Sequence, residues 1–319
     1  RTLMEMGNIE GSLACLRTAQ TLDPACVEAA YYQGILAERI DQKQVAMDHY
    51  RAAAELDRTN PQYVIAAAEM MIELNQITEA ETYIAGRGDG FDHNAGIRQT
   101  LGHIALMKNE PEQAVTFFAE ARMLSPDDTH ILEDLVRAQV ATSRFADADY
   151  NLSHLLRAEE NKGRRDLLQM RASCLVQLDR PVEARQILLE LTKDQEGASD
   201  VGAWITLGHV SYVLRDMPRV RQAASRIIAI APRRAEGYVL RALVLKRAGD
   251  LDGAEANLDT ALSLEQSSET YVLLGMVQQE LLRPADARMS YGAALRANPN
   301  DASAGRLLSA LDSPIATGE

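Results

Sequence analysis

The sequence predicts an all-α chain of antiparallel helix pairs stacked in a linear array, and three observations carry this. Small or apolar residues recur at a fixed period: Ser12, Ala46, Ala80, Ala114, Ala148, Ala184, Val220, Ala254 and Ala287 span 275 residues in eight steps, a mean of 34.4. A repeat of that length marks a stack of similar structural units. Within a period, apolar residues return every three or four positions, as in Ile97, Leu101, Ala105 and again Ala114, Phe117, Phe118, Ala121, Leu124, which is helical spacing. Aromatics are only 5% of the chain against 46% hydrophobic residues, so the interior must rest on close helix contact more than on large rings.

Each period divides into two helices. The break falls at short polar turns, such as Asp41-Gln42, Asn75-Gln76, Lys108-Asn109-Glu110-Pro111, Asp179-Arg180-Pro181, Gly249-Asp250 and Arg283-Pro284. Proline suits the start of the second helix, where an amide has no intrahelical acceptor. Second helices end at Asp23-Pro24, Ser125-Pro126, Ala231-Pro232 and Asn298-Pro299, because proline disfavours helix in the residue before it.

Read in order, residues 1–26 form a partial repeat: Arg1–Met6 is the stump of a first helix, the next turn is Gly7-Asn8, and a second helix runs to Pro24. Eight repeats follow over 27–301, beginning near Val27, Pro61, Ala95, Thr129, Arg165, Val201, Ala235 and Ser268. Residues 302–311 read as one more amphipathic helix, capping the last face as solenoid ends require, and 312–319 as a tail or linker. The start inside a helix pair leads us to expect a piece of a longer protein. In the second repeat, Gly86-Arg87-Gly88-Asp89-Gly90 replaces the last helical turn, so that helix should stop near Ala85. A hinge, an Arg-Gly-Asp tripeptide and a small anion site stand beside the plain reading, a solvated loop. Two steps of 36 residues place insertions at Arg157–Arg164 and Lys193–Ser199, at the edge of the array.

The pairs Gly34/Ala46, Gly102/Ala114, Ala172/Ala184, Ala242/Ala254 and Gly275/Ala287, twelve residues apart, combine with bulky residues four positions later (Tyr50, Phe118, Leu188, Leu258, Tyr291). This pattern resembles the tetratricopeptide repeat family over nearly the whole chain. The resemblance implies a right-handed superhelical α-solenoid whose first helices line a concave wall and whose function is to bind a peptide or helical segment of a protein partner. The wall residues it implies are Tyr31, Ile35, Glu38, Ile65, Glu69, Gln99, His103 and Leu106, then Glu133, Arg137, Gln169, Ser173, Ile205, His209 and Tyr212. Arg233, Arg234, Lys246 and Arg247 follow on the wall or its lip. Two ligand modes of the family lack their residues here: the Lys and Asn clamp for a C-terminal carboxylate, and the ladder of inner Asn, which Tyr32, Ala66, Thr100, Asp134, Met170, Thr206, Leu240 and Leu273 replace.

Catalytic motifs are missing: no GxxxxGK, GxGxxG after a strand, HExxH, CxxC, EF-hand loop or GxSxG occurs. The six histidines (His49, His93, His103, His130, His154, His209) never pair at metal-ligand spacing on one helix, so no metal or cofactor is expected. Cys15, Cys26 and Cys174 are read as packing residues. The net charge of -13 repels polyphosphate, so nucleic acid is not an expected partner, and no apolar run reaches the roughly 18–20 residues of a membrane span. Charge is uneven. Residues 1–160 hold 13 Lys and Arg against 26 Asp and Glu, whereas 161–319 hold 20 of each. Over 215–247, Arg215, Arg219, Arg221, Arg226, Arg233, Arg234, Arg241, Lys246 and Arg247 face only Asp216 and Glu236. A groove of opposite polarity at its two ends, which would fix a ligand's direction, is the expectation. A non-catalytic scaffold is the leading reading; the recruiting arm of a larger enzyme and head-to-tail homo-oligomerisation are the alternatives.

Overall fold

A computed structural model describes residues 8–312. The expected stump Arg1–Met6, the turn residue Gly7 and the tail from Ser313 lie outside the described residues. The described residues form eighteen α-helices and two 3-10 turns, with no strand among them. They divide into two compact units, one up to Ala158 and the other from Glu159.

In the first unit the helices are α1 (Ile9–Leu22), α2 (Val27–Arg39), α3 (Lys43–Leu56), α4 (Pro61–Glu73), α5 (Ile77–Ala85), α6 (Ala95–Met107), α7 (Pro111–Leu124), α8 (Thr129–Ala141) and α9 (Phe145–Leu155). In the second they are α10 (Arg165–Gln177), α11 (Pro181–Leu191), α12 (Val201–Val213), α13 (Met217–Ile230), α14 (Ala235–Ala248), α15 (Leu251–Leu264), α16 (Ser268–Glu280), α17 (Pro284–Ala297) and α18 (Ala302–Asp312). Within each unit every helix packs on the next one in the chain.

Five of the eight first helices begin at polar side chains that satisfy free amides. Asn60, Asn94, Asp128, Asp200 and Ser267 accept from the backbone N–H groups of Gln62, Ile97, His130, Ala203 and Thr270. Proline occupies the first turn of α4, α7, α11, α13 and α17. Between the two helices of a pair the chain reverses through one left-handed residue: Asp41, Asn75, Asn109, Ser143, Asp179, Arg215 and Leu282 have φ between 54 and 61°, and Gly249 has 84°. This conformation ends a helix by returning amides to its last carbonyls, as Gln76 N does to Met71 O at 2.8 Å.

Close approach is built on glycine facing a ring. A Cβ at Gly34, Gly102 or Gly275 would lie 2.5 Å from the ring of Tyr50, Phe118 or Tyr291, each on the partner helix. Those three rings are fully buried or nearly so, beside Ala46, Ala114 and Ala287. Glycine thus lets the ring lie against the first-helix backbone, at close-packed density.

Two of the three departures from the regular repeat, the Gly86–Gly90 loop and the insertion after α11, have structural explanations. Helix α5 ends at Ala85, and Arg87 fills the space of the missing turn. Its guanidinium meets Glu55 at 2.9 Å and the Ala54 carbonyl at 3.4 Å, and lies 4.4 Å from the Tyr83 ring centroid. The insertion after α11 is anchored: Arg165 donates to Leu191 O at 2.7 Å, Trp204 Nε1 to Gly197 O at 3.0 Å, and Arg226 to Ala198 O at 2.7 Å. Of the cysteines read as packing residues, only Cys174 is buried; Cys15 is exposed and Cys26 partly so.

Candidate protein-binding faces

In the first unit the residues expected to bind lie on α2, α4, α6 and α8. Tyr31 is half-buried among Tyr32, Tyr50 and Tyr63, with ring centroids 5.8, 5.5 and 5.0 Å away. Its hydroxyl accepts a hydrogen bond from Gln62 Nε2 at 3.1 Å. Glu38 accepts from the Tyr50 hydroxyl at 2.6 Å. Burial first, and then this carboxylate, push the Tyr50 phenol far above its ordinary value, so it stays a donor. Ile35 and Ile65 are partly buried against the core, and Ile65 occupies the space a Cβ at Gly96 would need. Leu106 is exposed at the end of α6, and Glu133 meets Arg137 only loosely, at 3.8 Å.

Gln99 and His103 on α6 converge on one carboxylate oxygen of Asp134 on α8, at 2.7 and 2.9 Å. Burial alone would raise the Asp134 carboxyl, but the hydrogen bonds from His103 and Gln99 more than offset it and hold it below the usual aspartate value. Glu69 on α4 is pushed up by burial, against the pull of His103 and with the help of Glu38 and Glu73. Asp134 is the residue sequence reasoning missed as a bonding centre. The available signal was its position 35 and 31 residues from Gln99 and His103, about one repeat, which puts it on the neighbouring first helix.

In the second unit Gln169 and Ser173 lie on α10, where the Ser173 hydroxyl donates within its own helix to Gln169 O at 3.0 Å. Ile205 packs against the core, and Tyr212 is exposed. Burial lowers the His209 imidazole, opposed by Glu236. The basic cluster is thinner in space than in sequence. Lys246 is held by Glu280 and Arg234 by Glu236, whereas Arg233 and Arg247 are exposed and make no ion pair among the described residues. Arg241 donates to Asn257 Oδ1 at 2.5 Å and lies over Tyr238.

Among the described residues no group of three or more His, Cys, Asp or Glu side chains is placed to hold a metal ion, and no helix is long and apolar enough to cross a membrane.

An all-helical stack of antiparallel pairs with ring-against-glycine packing defines a helical-repeat protein. Residues 1–61 match the sequence profile of the tetratricopeptide repeat family, and the fold of the chain is that of tetratricopeptide solenoids. No curated protein sequence matches the chain. Among solved structures, a tetratricopeptide repeat protein from Parabacteroides merdae ATCC 43184 is similar at 17% identity and a TM-score of 0.58, over 79% of this chain and 98% of that one. The APC/C hetero-tetramer Cut9-Hcn1 contains a chain similar at 14% identity and a TM-score of 0.54, over 85% of this chain. Naa15/Naa10 bound to HypK-THB is similar at 14% identity and a TM-score of 0.53, over 91% of this chain. The present chain covers 53% of the former relative and 44% of the latter. Arrays of this family are in general protein-interaction scaffolds.

Proposed function

We propose that the chain is a non-catalytic scaffold holding a segment of another protein along its first helices, and that the first unit takes a cationic segment. One observation carries the reading: α2, α4, α6 and α8 hold six carboxylates (Glu28, Glu38, Glu69, Glu73, Glu133, Asp134) against three arginines (Arg39, Arg98, Arg137), with the tyrosine cluster beside them. Carboxylates supply charge complementarity, and tyrosine faces attract Lys and Arg side chains. Two of the similar chains were solved in complexes, Cut9 with Hcn1 and Naa15 with Naa10 and HypK, which supports a protein ligand. The test is fluorescence anisotropy with labelled Lys/Arg-rich and Asp/Glu-rich peptides of equal length. The basic peptide should bind more tightly, weaken as salt rises, and lose affinity in Glu38→Gln and Glu69→Gln. Equal binding of the two peptides would overturn the cationic assignment.

The free Arg233 and Arg247 of the second unit favour one further reading, in which a second copy offers them to the acidic stripe of the first unit. A mass that rises with concentration in light scattering, and falls in the Arg233→Glu/Arg247→Glu double variant, would select it over the peptide reading.

A further inference from the structure

The second helices α3 and α5, with the turns that follow them, border an open pocket of about 410 Å3, lined among others by Arg51, Glu55, Arg58, Tyr83 and Arg87. None of these residues belongs to the first-helix stripe. Glu55 sits between two guanidiniums, with Oε2 2.8 Å from Arg58 and Oε1 2.9 Å from Arg87. Arg51 has no carboxylate partner among the described residues; its guanidinium and that of Arg87 lie 5.8 and 4.4 Å from the Tyr83 ring centroid. Three guanidiniums against one carboxylate leave this pocket with an excess of two positive charges, in the half of the chain where acids outnumber bases by 26 to 13. Glu79 lines the adjoining pocket that shares Arg51 and Tyr83.

The chemistry of the lining is that of a donor. Guanidiniums carry N–H groups and no acceptor, and the Tyr83 hydroxyl, shielded from solvent, lies beside Arg87. Burial, against the pull of Arg87, keeps this phenol above its ordinary value and protonated. The carbonyl end of α3 would by its dipole repel an anion, but Arg87 covers it at Ala54. Arg87 also has a structural task in replacing the lost turn of α5. Arg51 is exposed beside the Tyr83 ring and forms no ion pair among the described residues.

We propose that this pocket binds a phosphate monoester dianion, with Arg51 and Arg58 as its outer ligands and Arg87 behind them. A phosphate carries about -1.5 to -2 charge at neutral pH and three acceptor oxygens, which match both the excess charge and the fork geometry of guanidinium groups. A single carboxylate would leave one positive charge uncompensated.

Isothermal titration of the full chain at low salt tests this, with inorganic phosphate in one arm and a phosphoserine peptide in the other, beside the unphosphorylated peptide and sodium chloride of matched ionic strength. Saturable binding at one site per chain is expected. Arg51→Gln and Arg58→Gln should each weaken it about tenfold, as loss of one charge-assisted hydrogen bond implies. Arg221→Gln, an exposed arginine on α13, should leave it unchanged. Thermal unfolding confirms that each variant is folded. Tighter binding of the phosphopeptide identifies a protein-borne phosphate as the source, and binding of inorganic phosphate alone identifies a small ion; both support the site. Binding that chloride abolishes at equal ionic strength, that never saturates, or that is the same in Arg51→Gln, Arg58→Gln and Arg221→Gln would overturn it.

Discussion

One methyl group at Gly102 tests the packing principle of the repeat. A Cβ there would lie 2.5 Å from Phe118 Cε1 and 2.7 Å from Cδ1 and Cζ, whereas carbon atoms in contact prefer about 3.5–4.0 Å. Phe118 is fully buried, so the ring has no solvent side to swing into. Overpacking of this kind costs about 1–3 kcal/mol. Alanine is the better helix former by about 1 kcal/mol and offsets part of that, so Gly102→Ala should destabilise by up to about 2 kcal/mol. In a Phe118→Leu background the colliding edge is removed. The same substitution should then stabilise by about 1 kcal/mol, and the coupling energy of the double-mutant cycle, about 1–3 kcal/mol, measures the contact itself. Urea unfolding followed by far-UV circular dichroism gives the four midpoints, and hydrogen exchange should place the change on α6 and α7. Should Gly102→Ala stabilise the wild type as much as it stabilises Phe118→Leu, the ring does not press on residue 102 and the argument for close approach fails.

Three further outcomes are expected. Leu282 holds φ at 58° with its side chain 87% exposed, so Leu282→Gly should remove left-handed strain without losing packing and raise stability by about 1 kcal/mol in urea unfolding; a lower midpoint would contradict this. Asp134 titrates below its unfolded value, so its stabilisation is fully present above the unfolded aspartate pKa and is lost as pH falls through the depressed folded one. Asp134→Asn should therefore reduce stability at neutral pH and flatten the acid limb of a stability profile, and an unchanged acid limb would show that the His103 and Gln99 contacts do not act on it. Tyr50→Phe removes a hydroxyl bonded to the Glu38 carboxylate at 2.6 Å, and Tyr291→Phe one bonded to the neutral Gln279 at 2.5 Å. Charge-assisted bonds are the stronger, so the first should cost about 1–2 kcal/mol and the second about 1 kcal/mol or less, compared by the same unfolding assay.

Helix existence, turn positions and the ring-against-glycine pairs were legible from the residues because each depends on local spacing. Glycine at 102 and phenylalanine at 118 fall on facing helices once a 34-residue helix pair is drawn, and Gly86 ends α5 whatever its neighbours are. Apolar periodicity, proline and left-handed turn residues act within a few positions of themselves, and a single period suffices to show them.

The condition of the charged groups was a different matter. Along the chain Lys246, Arg247, Arg233 and Arg234 look alike, yet Glu280, 34 residues beyond Lys246, takes that charge, and Glu236 takes Arg234. Arg87 reads as part of a solvated loop, but it occupies the volume of an absent helical turn against Tyr83 and Glu55. Asp134 reads as one polar residue in a broken ladder, while two side chains of the preceding repeat converge on it. Long polar side chains reach across repeats, and whether two of them meet depends on rotamers and on helix spacing to within about an ångström, since a hydrogen bond lost beyond roughly 3.5 Å leaves a free charge. Periodicity places a residue on a face; only packed neighbours settle whether its charge is already spent there or remains available to a partner.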